Sequence, residues 1–279
     1  MLTVGSLFSG IGGLELGLER AGMVVKWQVE NDPYCVRVLE KHWPNVRRHD
    51  DISTFLTWTG TSSWDVDLIC GGFPCQPVSV AGKQQGDADA RWLWPEMRRV
   101  CEVVRPRWVL AENVPGLLSA SSGRLFGEVV RDLAALGCVV EWFCLSAANV
   151  GANHIRDRVW ILAHAPGSRC GEGRPQEGGS FRDGTRGSES ERRGGDVAHA
   201  DQPGPQGHGR SSERGRELLA GQGGQTLGSH WVVEPNVGRV AHGVPKRVDR
   251  LRGLGNAVVP QVAEYIGRNI INALKETRP

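Results

Sequence analysis

Leu2-Thr3-Val4-Gly5-Ser6-Leu7-Phe8, followed at once by Ser9-Gly10-Ile11-Gly12-Gly13, reads as an apolar strand running into a glycine turn that opens a helix. Leu14, Leu18 and Ala21 recur at helical spacing, and Gly22 supplies the stop. The alternation repeats downstream. Val24–Val29, Val66–Ile69, Trp108–Ala111, Val139–Leu145 and Val159–Ala163 are strand candidates with helical stretches between them. Asp32-Pro33 has the form of an N-cap followed by proline at the first helical position, predicting a helix to about His42. Phe126, Val129, Val130, Leu133 and Leu136 mark another apolar face, closed by Gly137. This pattern predicts an α/β fold: a largely parallel, Rossmann-like sheet with helices on both faces.

The 279 residues, 39% of them hydrophobic, suffice for one large domain or one domain with a smaller partner. A net charge of +2 excludes no partner class, because nucleic acid is often met through a local patch. No run is long and apolar enough to cross a bilayer, and no basic leader precedes the first apolar stretch. The 7 cysteines form no Cys-x-x-Cys pair and no His/Cys ligand spacing, so no metal is expected. Several fall in apolar elements, where a thiol acts as a small hydrophobe; a reduced, cytoplasmic protein is the simplest expectation.

Composition changes after Ala165. From Pro166 to Gly228 about a quarter of the residues are glycine, and Phe181 is the only aromatic before Trp231. Such a stretch cannot bury a core of its own. Order is expected again from Trp231, through a basic stretch with Arg239, Lys246, Arg247, Arg250 and Arg252. Gly253-Leu254-Gly255-Asn256-Ala257-Val258-Val259-Pro260 then leads into a helix with Val262, Ile266, Ile270 and Ala273 on one side. The expected division is 1–165, a small glycine-rich region 166–249, and 250–279 returning to the first unit.

Several places carry candidate chemistry. Glycines after the first strand let a ligand approach backbone N–H groups at the helix N-terminus, although Glu15 stands where a dinucleotide fingerprint has its third glycine. Glu30, ending the second strand, suits a ribose diol or is simply solvated; Asp51 could accept from an adenine amino group or cap the turn at Ser53-Thr54. Cys75 lies in Cys70-Gly71-Gly72-Phe73-Pro74-Cys75-Gln76-Pro77, a strand-end turn expected to expose a thiol. N–H dipoles and arginines there would favour the thiolate. Glu112 ends the neighbouring strand in Glu112-Asn113-Val114 and, desolvated, would be protonated at neutral pH. Arg156-Asp157-Arg158 offers forked donors for a planar oxygen acceptor, or forms a surface ion-pair cluster.

Taken in order, these motifs resemble those of the DNA cytosine-C5 methyltransferase family, over Thr3 to about Ala163 and again Arg250 to about Ile271. The resemblance implies an S-adenosylmethionine site at Phe8, Ser9, Gly10, Gly12, Gly13 and Leu14, with Phe8 packing on adenine and Glu30, Asn31, Asp51 and Ile52 beside it. Pro74, Asn256 and Ala257 would complete it. It implies Cys75 as nucleophile at C6 of a flipped-out cytosine, Glu112 on the N3/N4 edge, Arg158 on the O2 side, and Arg156 ordering the loop. DNA contacts would come from Gln76, Ser79, Lys83, Arg91, Arg239 and Arg247, with Gln76 to about Trp94 as a closing loop. The expected partner is double-stranded DNA, met by a monomer in a restriction-modification or phage self-protection setting. The same chemistry on RNA, an inactive DNA-binding relative and a nicotinamide dehydrogenase are the alternatives. The chain departs from the family at His154, where glutamine is usual, and lacks a recognisable Arg-Leu-Thr…Glu helix. Glu234 to Pro245 stands in that place, so the departures concern target recognition rather than chemistry.

Overall fold

The computed structural model describes residues 1–56, 64–75, 92–166, 169–170 and 247–276. Among them, seven strands form one sheet: β1 (Thr3–Leu7), β2 (Val24–Val29), β3 (Arg47–His49), β4 (Leu68–Gly72), β5 (Trp108–Asn113), β6 (Val139–Ser146) and β7 (Asp157–His164). Their order is β3-β2-β1-β4-β5-β7-β6. β1, β2, β3, β4 and β5 pair in parallel, whereas β7 runs antiparallel to both β5 and β6. The largely parallel sheet expected from the alternating pattern is therefore present, with one strand reversed.

Helices α1 (Gly13–Arg20), α2 (Pro33–His42), α3 (Trp94–Val104), α4 (Arg124–Ala135), α5 (Arg247–Asn256) and α6 (Pro260–Glu276) accompany it. The expected cap at α2 is formed: Asp32 accepts from the backbone N–H of Tyr34 and Cys35, with Pro33 at the first helical position. α1, α4 and α6 coincide with the apolar faces read from the sequence. α3 and α5 are additional.

Alternate residues of the central strands feed two cores. Leu7, Ile69, Val109 and Ala111 face α3 and α4, packing with Met97, Val100, Val129 and Leu133. Val4, Leu68, Cys70 and Leu110 face α1 and α6, packing with Leu14, Leu18, Ile266 and Ile270. Full burial of each such side chain contributes about 1.5–3 kcal/mol relative to exposure. Glycine sets the closest approaches. A Cβ at Gly13 would stand 2.3 Å from Val258 O, and one at Gly17 2.3 Å from Pro260 O. Those two positions let the residues before and at the start of α6 lie against the helix that follows the glycine turn.

Cys138, just before β6, is joined to Cys170 by a disulfide with Cα atoms 5.9 Å apart. This pair departs from the expectation of a reduced protein; Cys170 N–H also bonds to Pro106 O, just before β5. Cys35, Cys70, Cys75 and Cys101 are free and buried, and Cys144 is free and exposed. Among the described residues no group of His, Cys, Asp and Glu could hold a metal ion, and no helix is long and apolar enough to cross a membrane.

Candidate active site

Open parallel sheets bind ligands beyond the carboxyl ends of their strands, where the strand order switches direction. Here β1 is flanked by β2 and β4, so the turn after β1 and the turn after β4 open side by side. Glu30 follows β2 and Glu112 lies near the end of β5, on the same edge. Because β7 is reversed, its first residues reach that edge as well: Asn113 pairs with Val159 and Glu112 with Trp160. A parallel β7 would have carried Arg156 and Arg158 to the opposite edge.

Glu112 is 9% exposed. Burial pushes its carboxyl above the usual range, while Arg158 and then Arg156 pull it back. Arg158 Nε lies 2.8 Å from Glu112 Oε1, and its Nη1 donates to Asp157 O at 2.7 Å. The triplet is thus not an ion-pair cluster confined to the surface, since Arg158 turns inward to the acid. Arg156 Nη2 donates to Gly255 O at 2.8 Å, linking β7 to the end of α5.

Gly72 pairs with Glu112 across β4 and β5. A Cβ on Gly72 would come within 2.9 Å of Glu112 Oε2, so the glycine makes room for the acid. Asn113, which was read only as part of a motif, ties the two turns together. Its Nδ2 donates to Phe73 O at 3.0 Å, and its Oδ1 accepts from Val114 N–H at 2.9 Å. Those contacts hold the backbone two residues ahead of Cys75.

Cys75 itself corrects the expectation of an exposed, acidified thiol. It is 8% exposed, forms an antiparallel bridge with Trp92, and belongs to the core cluster with Phe73 and Trp92. Burial pushes the thiol up to about 12. The turn that was expected to present the sulfur is instead bridged at Cys75 by the backbone of Trp92, whose ring packs edge-on against Phe73 at 5.6 Å.

At the glycine turn, Phe8 and Gly10 have φ of +54° and +56°, and Gly12 has +88°. Gly10 has nothing within 4 Å of where a Cβ would be, leaving space above the turn. A left-handed phenylalanine is strained and must be held by its surroundings. Ser9 and the side chain of Leu14 are buried, Leu14 in the core rather than toward the open space. Glu30 Oε2 accepts from Gly10 N–H at 2.6 Å and Oε1 from Asp32 N–H at 2.8 Å. Burial raises its pKa, against the backbone bonds from Gly10 and Asn31 and the charge of Arg252. Asn31 is exposed.

Asp51 caps its own turn: Oδ1 accepts from Ser53 N–H at 2.9 Å and from Ser53 Oγ at 2.7 Å, bonds that lower its pKa. Ile52 is buried. Arg99 of α3, unread in the sequence, braces this segment by donating to Phe55 O at 2.9 Å and to Ile52 O. No local signal in the sequence joins Arg99 to a segment so distant in the chain. Asn256 ends α5, and Ala257 and Val258 follow against the glycine turn. Arg247 begins α5, and Arg252 of the same basic stretch is ion-paired with Asp32. Gln76, Ser79, Lys83, Arg91 and Arg239 lie outside the described residues, as do Lys246 and most of 166–249.

The C-5 cytosine-specific DNA methylase profile matches residues 2–180, which include every motif of this edge except the C-terminal one. The chain belongs to the C-5 cytosine-specific DNA methylase family. It is 42% identical over 132 residues to the type II methyltransferase M.PspPI of Psychrobacter sp. (strain TA137), covering 47% of this chain and 32% of that protein. It is 35% identical over 167 residues to M2.BsuMI of Bacillus subtilis (strain 168), covering 58% and 42%. A crystal structure of a candidate DNA modification methyltransferase encoded within an E. coli prophage superposes with a TM-score of 0.52 at 28% identity, covering 59% of this chain and 47% of that one. The chain spans less than half the length of the curated methylases it matches. The fold is thus the α/β sheet of a methyltransferase, and the nicotinamide dehydrogenase alternative is set aside by membership in this family.

Proposed function

We propose that the protein transfers a methyl group from S-adenosylmethionine to C5 of a cytosine flipped out of double-stranded DNA. The observation that carries this is Glu112: a buried acid, held by Arg158, packed over Gly72 and tied through Asn113 to the backbone beside Cys75. That arrangement sets a proton donor and a sulfur nucleophile on one sheet edge. The open space above Gly10, the left-handed Phe8 and the Glu30 carboxylate fit an adenosine group with a ribose diol. When bound there, S-adenosylmethionine supplies an electrophilic methyl group on a sulfonium.

C5 of cytosine is too weak a nucleophile to take a methyl group unaided. Addition of Cys75 at C6 as its thiolate, the thiol proton passing to solvent, breaks the C5–C6 double bond, and Glu112 gives its proton to N3 as charge develops there. C5 is then enamine-like and would take the donor's methyl carbon as the methyl–sulfonium bond breaks, leaving a neutral thioether. Loss of the C5 proton to solvent, expulsion of the Cys75 sulfur as thiolate and return of the N3 proton to Glu112 restore the ring and the acid. Stabilising developing charge with a positioned donor is worth about 10²–10³ in rate. Arg158 orients Glu112 before the base arrives and can take up the O2 side with its remaining donors, while Arg156 anchors this edge to α5. Extracting the base from the duplex costs roughly a few kcal/mol. We assign 1–165 and 250–279 to one catalytic unit and 166–249 to target recognition; the seating of α6 on Gly13 and Gly17 supports the first part.

A labelled-methyl assay on duplex DNA, with a structured RNA in parallel, tests the proposal. The expected outcome is 5-methylcytosine in DNA from the wild type and none from Cys75→Ser. Product confined to RNA, or equal product from both proteins, would refute it.

A further inference from the structure

The described residues bury six polar side chains: Ser6, Ser9, Glu15, Gln28, Glu112 and Asn113. The last two belong to the reaction edge. The other four form a separate cluster beneath the glycine turn. Ser9 Oγ donates to Ser6 Oγ at 3.1 Å, and Gln28 Nε2 approaches Glu15 Oε1 at 3.5 Å. Gln28 Oε1 in turn accepts from Arg48 Nη1 at 3.0 Å, while the same Nη1 donates to Trp43 O at 2.8 Å.

Glu15 lies at the centre, in the first turn of α1, with no exposed surface. Burial drives its carboxyl upward; Ser6 and Ser9 lie near enough to oppose that shift, yet Oε2 makes no hydrogen bond. Leu14 and Leu18 of the same helix fill the core at far lower desolvation cost, and replacing a buried ionisable group by a well-packed apolar one is often neutral or stabilising. What the acid meets is Gln28 of β2, at 3.5 Å, and the electrostatic influence of Ser9 in the turn and of Ser6. Ser9 stands between Phe8 and Gly10, both left-handed, and its N–H bonds to Val29 O, next to Glu30. Gln28 lies two residues before Glu30 on β2.

We propose that Glu15 is a positioning residue for the methyl donor, fixing the Phe8–Gly10 turn relative to Glu30 through Ser9 and Gln28. This rests on the proposed placement of S-adenosylmethionine over that turn. Glu15 touches no substrate, and its effect lies on donor affinity rather than on the attack by Cys75.

The test is calorimetric titration of the full chain with S-adenosylmethionine and S-adenosylhomocysteine, for the wild type, Glu15→Leu and Glu15→Gln. Glu15→Leu should weaken both ligands by about tenfold or more. Its thermal midpoint should equal or exceed that of the wild type, a combination that a purely structural role would not give. Glu15→Gln, which keeps the shape and a hydrogen-bonding end, should stay within roughly threefold of the wild type. At saturating donor, the turnover of Glu15→Leu should match the wild type. Affinity unchanged in Glu15→Leu, or equally lost in Glu15→Gln, overturns the inference. A Glu15→Leu that fails to fold assigns Glu15 a structural role and overturns the inference as well. A wild type that binds neither ligand sinks the functional proposal itself; wild-type binding with an indifferent Glu15→Leu sinks only this inference.

Discussion

Arg158 Nε and Glu112 Oε1 lie 2.8 Å apart across the antiparallel pair of β7 and β5, with the two side chains 20% and 11% exposed. The guanidinium is the group that keeps a deeply buried acid oriented. Truncating it in Arg158→Ala leaves the carboxyl buried without its cation, and the acid responds by holding its proton more tightly. Single-turnover methyl transfer should fall by about 10²-fold, with protein still folded by circular dichroism. Arg158→Lys should recover only part of this, since a flexible ammonium does not reproduce the planar Nε contact.

Glu112 also leaves a mark on stability. Its folded pKa is raised, chiefly by burial, so the folded chain keeps a proton that the unfolded chain releases. The stabilisation from this group is fully present below the unfolded carboxylate value and is lost as pH rises through the folded value. Denaturant unfolding across that window should show stability declining with pH in the wild type. Glu112→Gln should show a shallower decline, because the amide does not titrate.

Cys75 is buried, bridged to Trp92 through the backbone, and its thiol is pushed up to about 12 by burial. In the free protein it should therefore be a poor target for alkylation near neutral pH. Iodoacetamide should mark the exposed Cys144 well before Cys75, as peptide mass spectrometry would report. Early labelling of Cys75 would contradict the buried resting position.

Gly17 tests the seating of α6. A Cβ there would lie 2.3 Å from Pro260 O and 2.5 Å from the Ala263 Cβ. Gly17→Ala, although favourable for an isolated helix, should destabilise the chain by about 1–3 kcal/mol through overpacking. The urea midpoint measures it; a midpoint at or above the wild type would mean that α6 is not held this closely.

Local signals explain which features were legible in the sequence. The Asp32-Pro33 cap and the strand-to-glycine turn at Leu7 to Gly13 are written in adjacent residues, and the structure carries both. The α/β class follows from alternating apolar runs. β3 is short and polar, Arg47-Arg48-His49, and has no apolar period to find. The reversal of β7 is a property of pairing with β5 and β6, invisible within its own residues. Glu15 looks like a helix-surface residue until β2 places Gln28 beside it. Cys75 sits in a turn rich in glycine and proline, which suggests exposure; its burial goes with a bridge to Trp92, outside the turn's own residues. Motif residues were thus readable one by one, while their burial and mutual orientation were set by distant partners.

The central claim is a transient bond between the sulfur of Cys75 and a pyrimidine ring. It is tested most directly by incubating the full chain with S-adenosylmethionine and duplex DNA carrying 5-fluorocytosine at its methylation sites, then mapping the denaturation-resistant complex by peptide mass spectrometry. Fluorine at C5 blocks the proton loss that releases the enzyme. The account predicts a protein–DNA adduct localised to Cys75 and absent from Cys75→Ser. Methylated product without any adduct, or an adduct on another residue, would contradict it.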